Sequence, residues 1–139
     1  MSMRRIYVAG GSDERAECAV DIAALEAGGW QCSFNWTPDE NYFHPDKSRK
    51  ILNDLSGVIT APFLWYRAPV TKSEGAGVEL GAAIILRDVL SFSALGAPHP
   101  RCIIASGPWD SGHRLFPHAA DLKFAEHAAA LKWLLEYAP

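Results

Sequence analysis

Apolar and polar positions switch between two periods along the chain, and the switches mark alternating strands and helices. Arg5-Ile6-Tyr7-Val8-Ala9 is a short, nearly continuous apolar run ended by Gly10-Gly11. That pattern predicts a strand buried on both faces at the centre of a parallel sheet. Ser12 or Asp13 then caps a helix whose apolar face is Ala16, Ala19, Val20, Ala23, Ala24 and Ala27, closed by Gly28-Gly29. Residues 30–36 alternate at period two and predict a second strand. Residues 37–46 read as a loop, and Asp46 caps a helix running through Asn53. Residues 55–61 predict a third strand stopped by Pro62, and residues 62–72 an aromatic loop. A helix over about 77–91, a connector at 96–100 and a fourth strand at 101–105 follow. Residues 113–118 predict a short fifth strand. Asp121 then caps a last helix with Leu122, Ala125, Ala128, Ala129, Leu131, Leu134 and Leu135 inward. Strands alternating with helices predict one α/β domain over residues 1–139, a doubly wound parallel sheet of about five strands with helices on both faces.

Composition narrows the function classes. The chain has 139 residues, 49% hydrophobic and 21% charged, which is ordinary for a folded globular domain. A net charge of -3 argues against a nucleic-acid partner. No apolar run approaches the roughly 20 residues of a membrane span. The apolar run after Arg4-Arg5 stops at Gly10, too early for a secretion signal. Cys18, Cys32 and Cys102 are odd in number and lack a C-x-x-C pair, which predicts free thiols and a cytoplasmic location. The five histidines lack metal-ligand spacing, so no metal and no cofactor is expected. The Gly75-x-Gly77-x-x-x-Gly81 spacing is one residue off the dinucleotide fingerprint, and neither a phosphate loop nor G-x-S-x-G is present.

Carboxylates remain. Glu79 stands near the start of an apolar helix, where a buried acid costs several kcal/mol unless the site needs it. The helix dipole is expected to keep it ionised. Asp46 opens the preceding helix at the same carboxyl edge of the sheet, so the two acids are expected to face one crevice. An ionised carboxylate with a second acid suits attack on an anomeric carbon. Plain structural roles also fit: a cap for Asp46, a dipole partner for Glu79.

Ile6-Tyr7-Val8-Ala9-Gly10, then Asp46, then the stretch from Asn53 to Ile59, then Gly75-Ala76-Gly77-Val78-Glu79-Leu80-Gly81 resemble the nucleoside 2-deoxyribosyltransferase superfamily, which includes the nucleoside 5'-monophosphate N-glycosidases. The resemblance implies a flavodoxin-like fold. It also implies transfer or cleavage at the N-glycosidic bond of a (deoxy)nucleoside or its monophosphate, through a glycosyl-enzyme intermediate on Glu79. Asp46 would orient the sugar or the nucleophile, and Tyr7 would support the Glu79 carboxylate. Gly10, Gly11, Ser12 and Arg15 would line the sugar or phosphate end. Ser73, Gly75 and Gly77 would form the turn before the nucleophile, and Trp36, Phe43, Trp65 or Tyr66 would stack on the base. A homodimer or higher homo-oligomer is implied as well. Two departures stand out: Ser73 occupies the place of an acid that handles the base, with Glu74 beside it, and the aromatic insert at 62–72 suggests a lid or an altered base pocket. Hydrolysis without base transfer, and nucleotide binding without catalysis, are the alternative readings.

Overall fold

The computed structural model describes residues 4–71, 73–89, 101–107 and 116–137. Strand β1 (Arg5–Ala9) is interior, as its unbroken apolar run predicts, and pairs on both sides. A 3-10 turn (Ser12–Glu14) leads into helix α1 (Arg15–Ala27), then β2 (Gln31–Cys32). A one-turn helix α2 (Asp39–Tyr42) precedes α3 (Lys47–Thr60), β3 (Phe63–Arg67) and α4 (Glu74–Asp88). β4 (Cys102–Ser106), β5 (Leu122–Phe124) and α5 (His127–Glu136) complete the described elements. All five strands are parallel, in the order β2-β1-β3-β4-β5. This is the flavodoxin-like doubly wound order, whose direction of winding reverses between β1 and β3.

The sheet divides two cores by strand alternation. Ile6, Val8, Trp65 and Ile104 face Ile22 and Leu25 of α1 and Ala130 and Leu134 of α5. Tyr7, Ala9, Leu64, Tyr66, Ile103 and Ala105 face Val58 of α3 and Ala76, Leu80 and Ala83 of α4. On the first face Trp65 Nε1 donates to Ser106 Oγ (2.8 Å), which lies 2.7 Å from His127 Nδ1. Arg67 is buried there against Asp21 at 3.0 Å.

Several expectations are corrected. Residues 55–60 are the end of α3 and Ala61 its extended cap, not a strand, and residues 63–67 are the central strand β3, not a lid. Pro62 explains the boundary: it drives Ala61 to an extended backbone (φ -102°, ψ 123°), which ends the helix and launches the aromatic strand. Trp65 and Tyr66 are consequently core residues, unable to stack on a ligand. β2 covers only Gln31–Cys32, because the chain then peels away and Trp36 Nε1 caps the β1 edge by donating to the Val8 carbonyl (2.8 Å). Neither Ser12 nor Asp13 caps α1; Asp13 instead accepts from Thr71 Oγ1 (2.7 Å). The buried residues of α1 are Cys18, Ile22 and Leu25, while Val20 is exposed. α4 begins at Glu74, earlier than expected, with Ser73 as its cap.

Asp121 caps no helix. Its carboxylate accepts from the Ile103 amide (2.7 Å) and pairs with Arg87 (2.9 Å), which frees Leu122–Phe124 to add β5 to the edge of β4. The last helix starts only at His127, with Ala130 and Leu134 buried and Leu135 exposed. Of the predicted strand at 113–118, residues 116–119 form a 3-10 turn and the rest lie outside the described residues, as does the connector at 96–100.

Candidate functional site

The site forms where the winding reverses, between β1 and the helix pair α3 and α4. Tyr7 points from β1 toward the two helices. Its ring fits there because α3 carries a glycine at the crossing: a Cβ on Gly57 would stand 2.7 Å from Tyr7 Cδ2 and 2.7 Å from Phe34 Cβ. With the ring seated, Tyr7 Oη donates to Glu79 Oε1 (3.0 Å). Glu79 lies in the second turn of α4 and is only 8% exposed. From α3, Asp54 faces the same space, and Lys50 one turn earlier holds it, Nζ to Oδ2 at 3.0 Å. The Lys50 ammonium also lies over the Tyr42 ring of α2, 5.8 Å from its centroid.

Two cavities meet on these residues. One, of about 280 Å³, is lined by Gly10, Ser12, Trp36, Tyr42, Lys50 and Ser73. The other, of about 240 Å³, is an apolar groove between Ile51, Leu55 and Val78. Asp54, Glu74, Gly75 and Glu79 border both. Joined, they reach the size range of small-molecule sites, roughly 300–1,000 Å³. Glu79 Oε2 and Asp54 Oδ1 are buried without a hydrogen-bond partner among the described residues. Orphan acceptors of this kind are uncommon in folded proteins and call for an explanation.

Burial sets the electrostatics. It pushes the Glu79 carboxyl up to about 8, and the Asp54 charge adds to the effect. The Tyr7 hydrogen bond and the Lys50 charge act in the opposite sense. Glu79 is therefore mainly protonated at neutral pH, contrary to the expectation of a permanently ionised group. The reason is position: the second turn is beyond the reach of the helix dipole, and desolvation dominates. Burial also raises Tyr7 well above the usual phenol range, with the charge of Glu79 next in effect, so its hydroxyl remains a donor.

The residues singled out from the sequence divide clearly. Glu79, Gly10, Ser12, Trp36, Ser73 and Gly75 line the cavities, and Tyr7 lies behind them, joined through its bond to Glu79. Asp46 does not: it is exposed, caps α3 by accepting from the Arg49 amide (3.1 Å), and lines neither cavity. Arg15 lies outside the lining too. It pairs with Asp39 (3.0 Å), and its guanidinium stacks over Tyr42 and Phe43 at 4.5 and 5.2 Å. Phe43 is exposed, Gly11 packs under Pro69, and Gly77 is exposed on α4. Ser73 Oγ accepts from the Ala76 amide (3.4 Å).

Asp54, Lys50 and Tyr42 are additions that sequence reasoning missed. The Lys50–Asp54 spacing of four is a helix-surface pair, visible once α3 is known to continue past Asn53. No helix among the described residues is long and apolar enough to cross a membrane, and no cluster of three potential metal ligands is found among them. No protein-family model matches the chain, and no curated protein matches it significantly. Chemically, the site offers a buried carboxyl that becomes a desolvated, nucleophilic carboxylate on losing its proton, with a second carboxylate and a phenol beside it.

Proposed function

We propose that the protein cleaves the N-glycosidic bond of a (deoxy)nucleoside or its 5'-monophosphate. The observation that carries this reading is the Glu79 carboxyl, buried at the meeting of a polar and an apolar cavity, with Tyr7 on one oxygen and no partner on the other. The polar cavity suits a sugar with its hydroxyl or phosphate groups, and the apolar groove between Ile51, Leu55 and Val78 suits a flat base. The anomeric carbon then lies over Glu79. The ionised Glu79 oxygen bonds to C1', the C1'–N bond breaks, and its electron pair leaves with the base, which takes a proton from water; the hydroxide (or, for exchange, a second base) then bonds to C1' as the C1'–O bond to Glu79 breaks, which restores the carboxylate. Asp54 stabilises the oxocarbenium-like charge and accepts a sugar hydroxyl on its free oxygen.

Within this reading, Ser73 is engaged as the α4 cap, and Glu74, which borders both cavities, is the carboxylate placed to handle the base, in hydrolysis or in exchange. Free thiols at Cys18, Cys32 and Cys102 fit a cytoplasmic setting. Exposed Ile51, Leu52, Ile59, Val78 and Ile85 on α3 and α4 fit a homodimer or higher homo-oligomer.

The test is incubation with deoxynucleosides, ribonucleosides and their monophosphates, with and without a free base, following base release and exchange. Base release by the wild type and none by Glu79→Ala is the expected result. Full turnover by Glu79→Ala, or ligand binding by calorimetry with no product from the wild type, removes the enzymatic reading in favour of a nucleotide-binding protein.

A further inference from the structure

Glu79 has two acidic neighbours. Asp54 faces it from α3 and Glu74 borders the same cavities from its own helix, while β1 contributes only the neutral Tyr7 hydroxyl and α2 the Tyr42 ring. Two adjacent carboxyls cannot both ionise cheaply in a desolvated site. Among the described residues one cation lines this space, Lys50, and its place is fixed from two sides: 3.0 Å from Asp54 Oδ2 and 5.8 Å from the centroid of Tyr42. Its side chain is 23% exposed, so its charge is only partly screened by solvent.

We propose that Lys50 is the positioning residue of this site: by neutralising Asp54 at a fixed distance, it allows Glu79 to lose its proton and become the attacking carboxylate. The proton goes to solvent through the polar cavity, and no other bond changes. Lys50 acts through Asp54 and touches no reacting atom. An ammonium held this way lowers the pH above which the nucleophile is available, and its loss raises that pH. The inference builds on the proposed role of Glu79, yet its test needs no substrate.

The Glu79 carboxyl carbon is followed by NMR from pH 5 to 10 in protein labelled with ¹³C at glutamate side-chain carboxyls, with Glu79→Gln to assign the signal. The wild-type midpoint should lie near 8. Lys50→Met keeps the stem over Tyr42 and removes the charge, and should move the midpoint up by about one pH unit, a tenfold smaller carboxylate fraction at pH 7. Lys50→Arg should restore it. Asp54→Asn removes the charge that Lys50 balances and should move the midpoint down, which tests the same coupling if Lys50→Met does not fold. An unchanged midpoint in Lys50→Met, or one in Lys50→Arg displaced as far as in Lys50→Met, overturns the proposal, as does an unchanged midpoint in Asp54→Asn. Base release by the wild type is measured separately, so the coupling and the glycosidic reading fail independently.

Discussion

Replacing Glu79 by Gln tests the electrostatic account of the site through folding stability alone. The carboxyl titrates near 4.5 in a solvated chain and near 8 in the fold. Between these values the folded protein holds a proton that the unfolded chain has released. Stability contributed by the neutral group is thus fully present below pH 4.5 and is lost as pH rises toward 8. At about 1.36 kcal/mol per unit, the wild type is less stable than a permanently neutral reference by about 3 kcal/mol at pH 7 and about 5 kcal/mol above pH 8. Glutamine supplies that reference. Its amide oxygen still accepts from Tyr7 Oη, and its volume is unchanged. Its NH₂ brings one donor more than the acid, a cost on the order of 1 kcal/mol that is the same at every pH.

The pH dependence of the difference is therefore the measurement. Urea unfolding followed by tryptophan fluorescence at pH 5, 6, 7 and 8 yields the free energy for each protein by linear extrapolation. Titrating groups remote from Glu79, His127 included, are common to both proteins and cancel. Glu79→Gln should gain about 2–3 kcal/mol on the wild type between pH 5 and pH 7, which corresponds to a midpoint shift of about 1–2 M urea. A difference that stays flat across this range would mean that Glu79 is ionised in the fold, and the burial argument fails.

Three further outcomes follow from the geometry. Gly57→Ala forces a methyl against Tyr7 and Phe34 at 2.7 Å. It should cost about 1–3 kcal/mol by overpacking and raise the Glu79 midpoint as the phenol is displaced; urea unfolding and the carboxyl titration check both. Asp46→Ala should cost about 1 kcal/mol as a lost helix cap and leave the rate of base release unchanged, whereas Asp54→Asn should lower that rate at least tenfold; equal losses would return Asp46 to the site. Burial, aided by Arg67, pushes the His127 imidazole down to about 4 from the usual 6.5, so its contribution to stability is present above 6.5 and lost as pH falls toward 4. The ring is half-buried, and solvent screening reduces the effect to about 1–2 kcal/mol. The stability gap between the wild type and His127→Gln should narrow by that amount from pH 7 to pH 4.

Strands β1 and β4 were legible because residues 6–9 and 102–105 are apolar runs that the fold buries between helices, so local pattern and tertiary burial agree. The Glu79 turn was legible for the opposite reason: a lone acid in an apolar helix has no packing value, and its oddness marks it. What failed was α3, and the failure has a physical cause. Asp54, Gly57, Val58 and Ala61 form its inward stripe at i, i+3, i+4 and i+7, the spacing of a buried helix face. Two of these four positions hold residues that hydrophobic periodicity does not count, an acid and a glycine. Outside the stripe, Ile51, Leu52 and Ile59 are apolar yet exposed. The pattern is thus inverted where the helix meets the site, and the run from 55 to 61 reads as a strand. Ending the helix at Asn53 then made Asp46 the acid at the crevice, eight residues and about 12 Å along the helix axis from Asp54. A conflict between pattern and fold is expected where side chains serve a site and not the core. Gly57 is there for the Tyr7 ring and Asp54 for the space beside Glu79, so the residues that hid the helix are those that build the pocket.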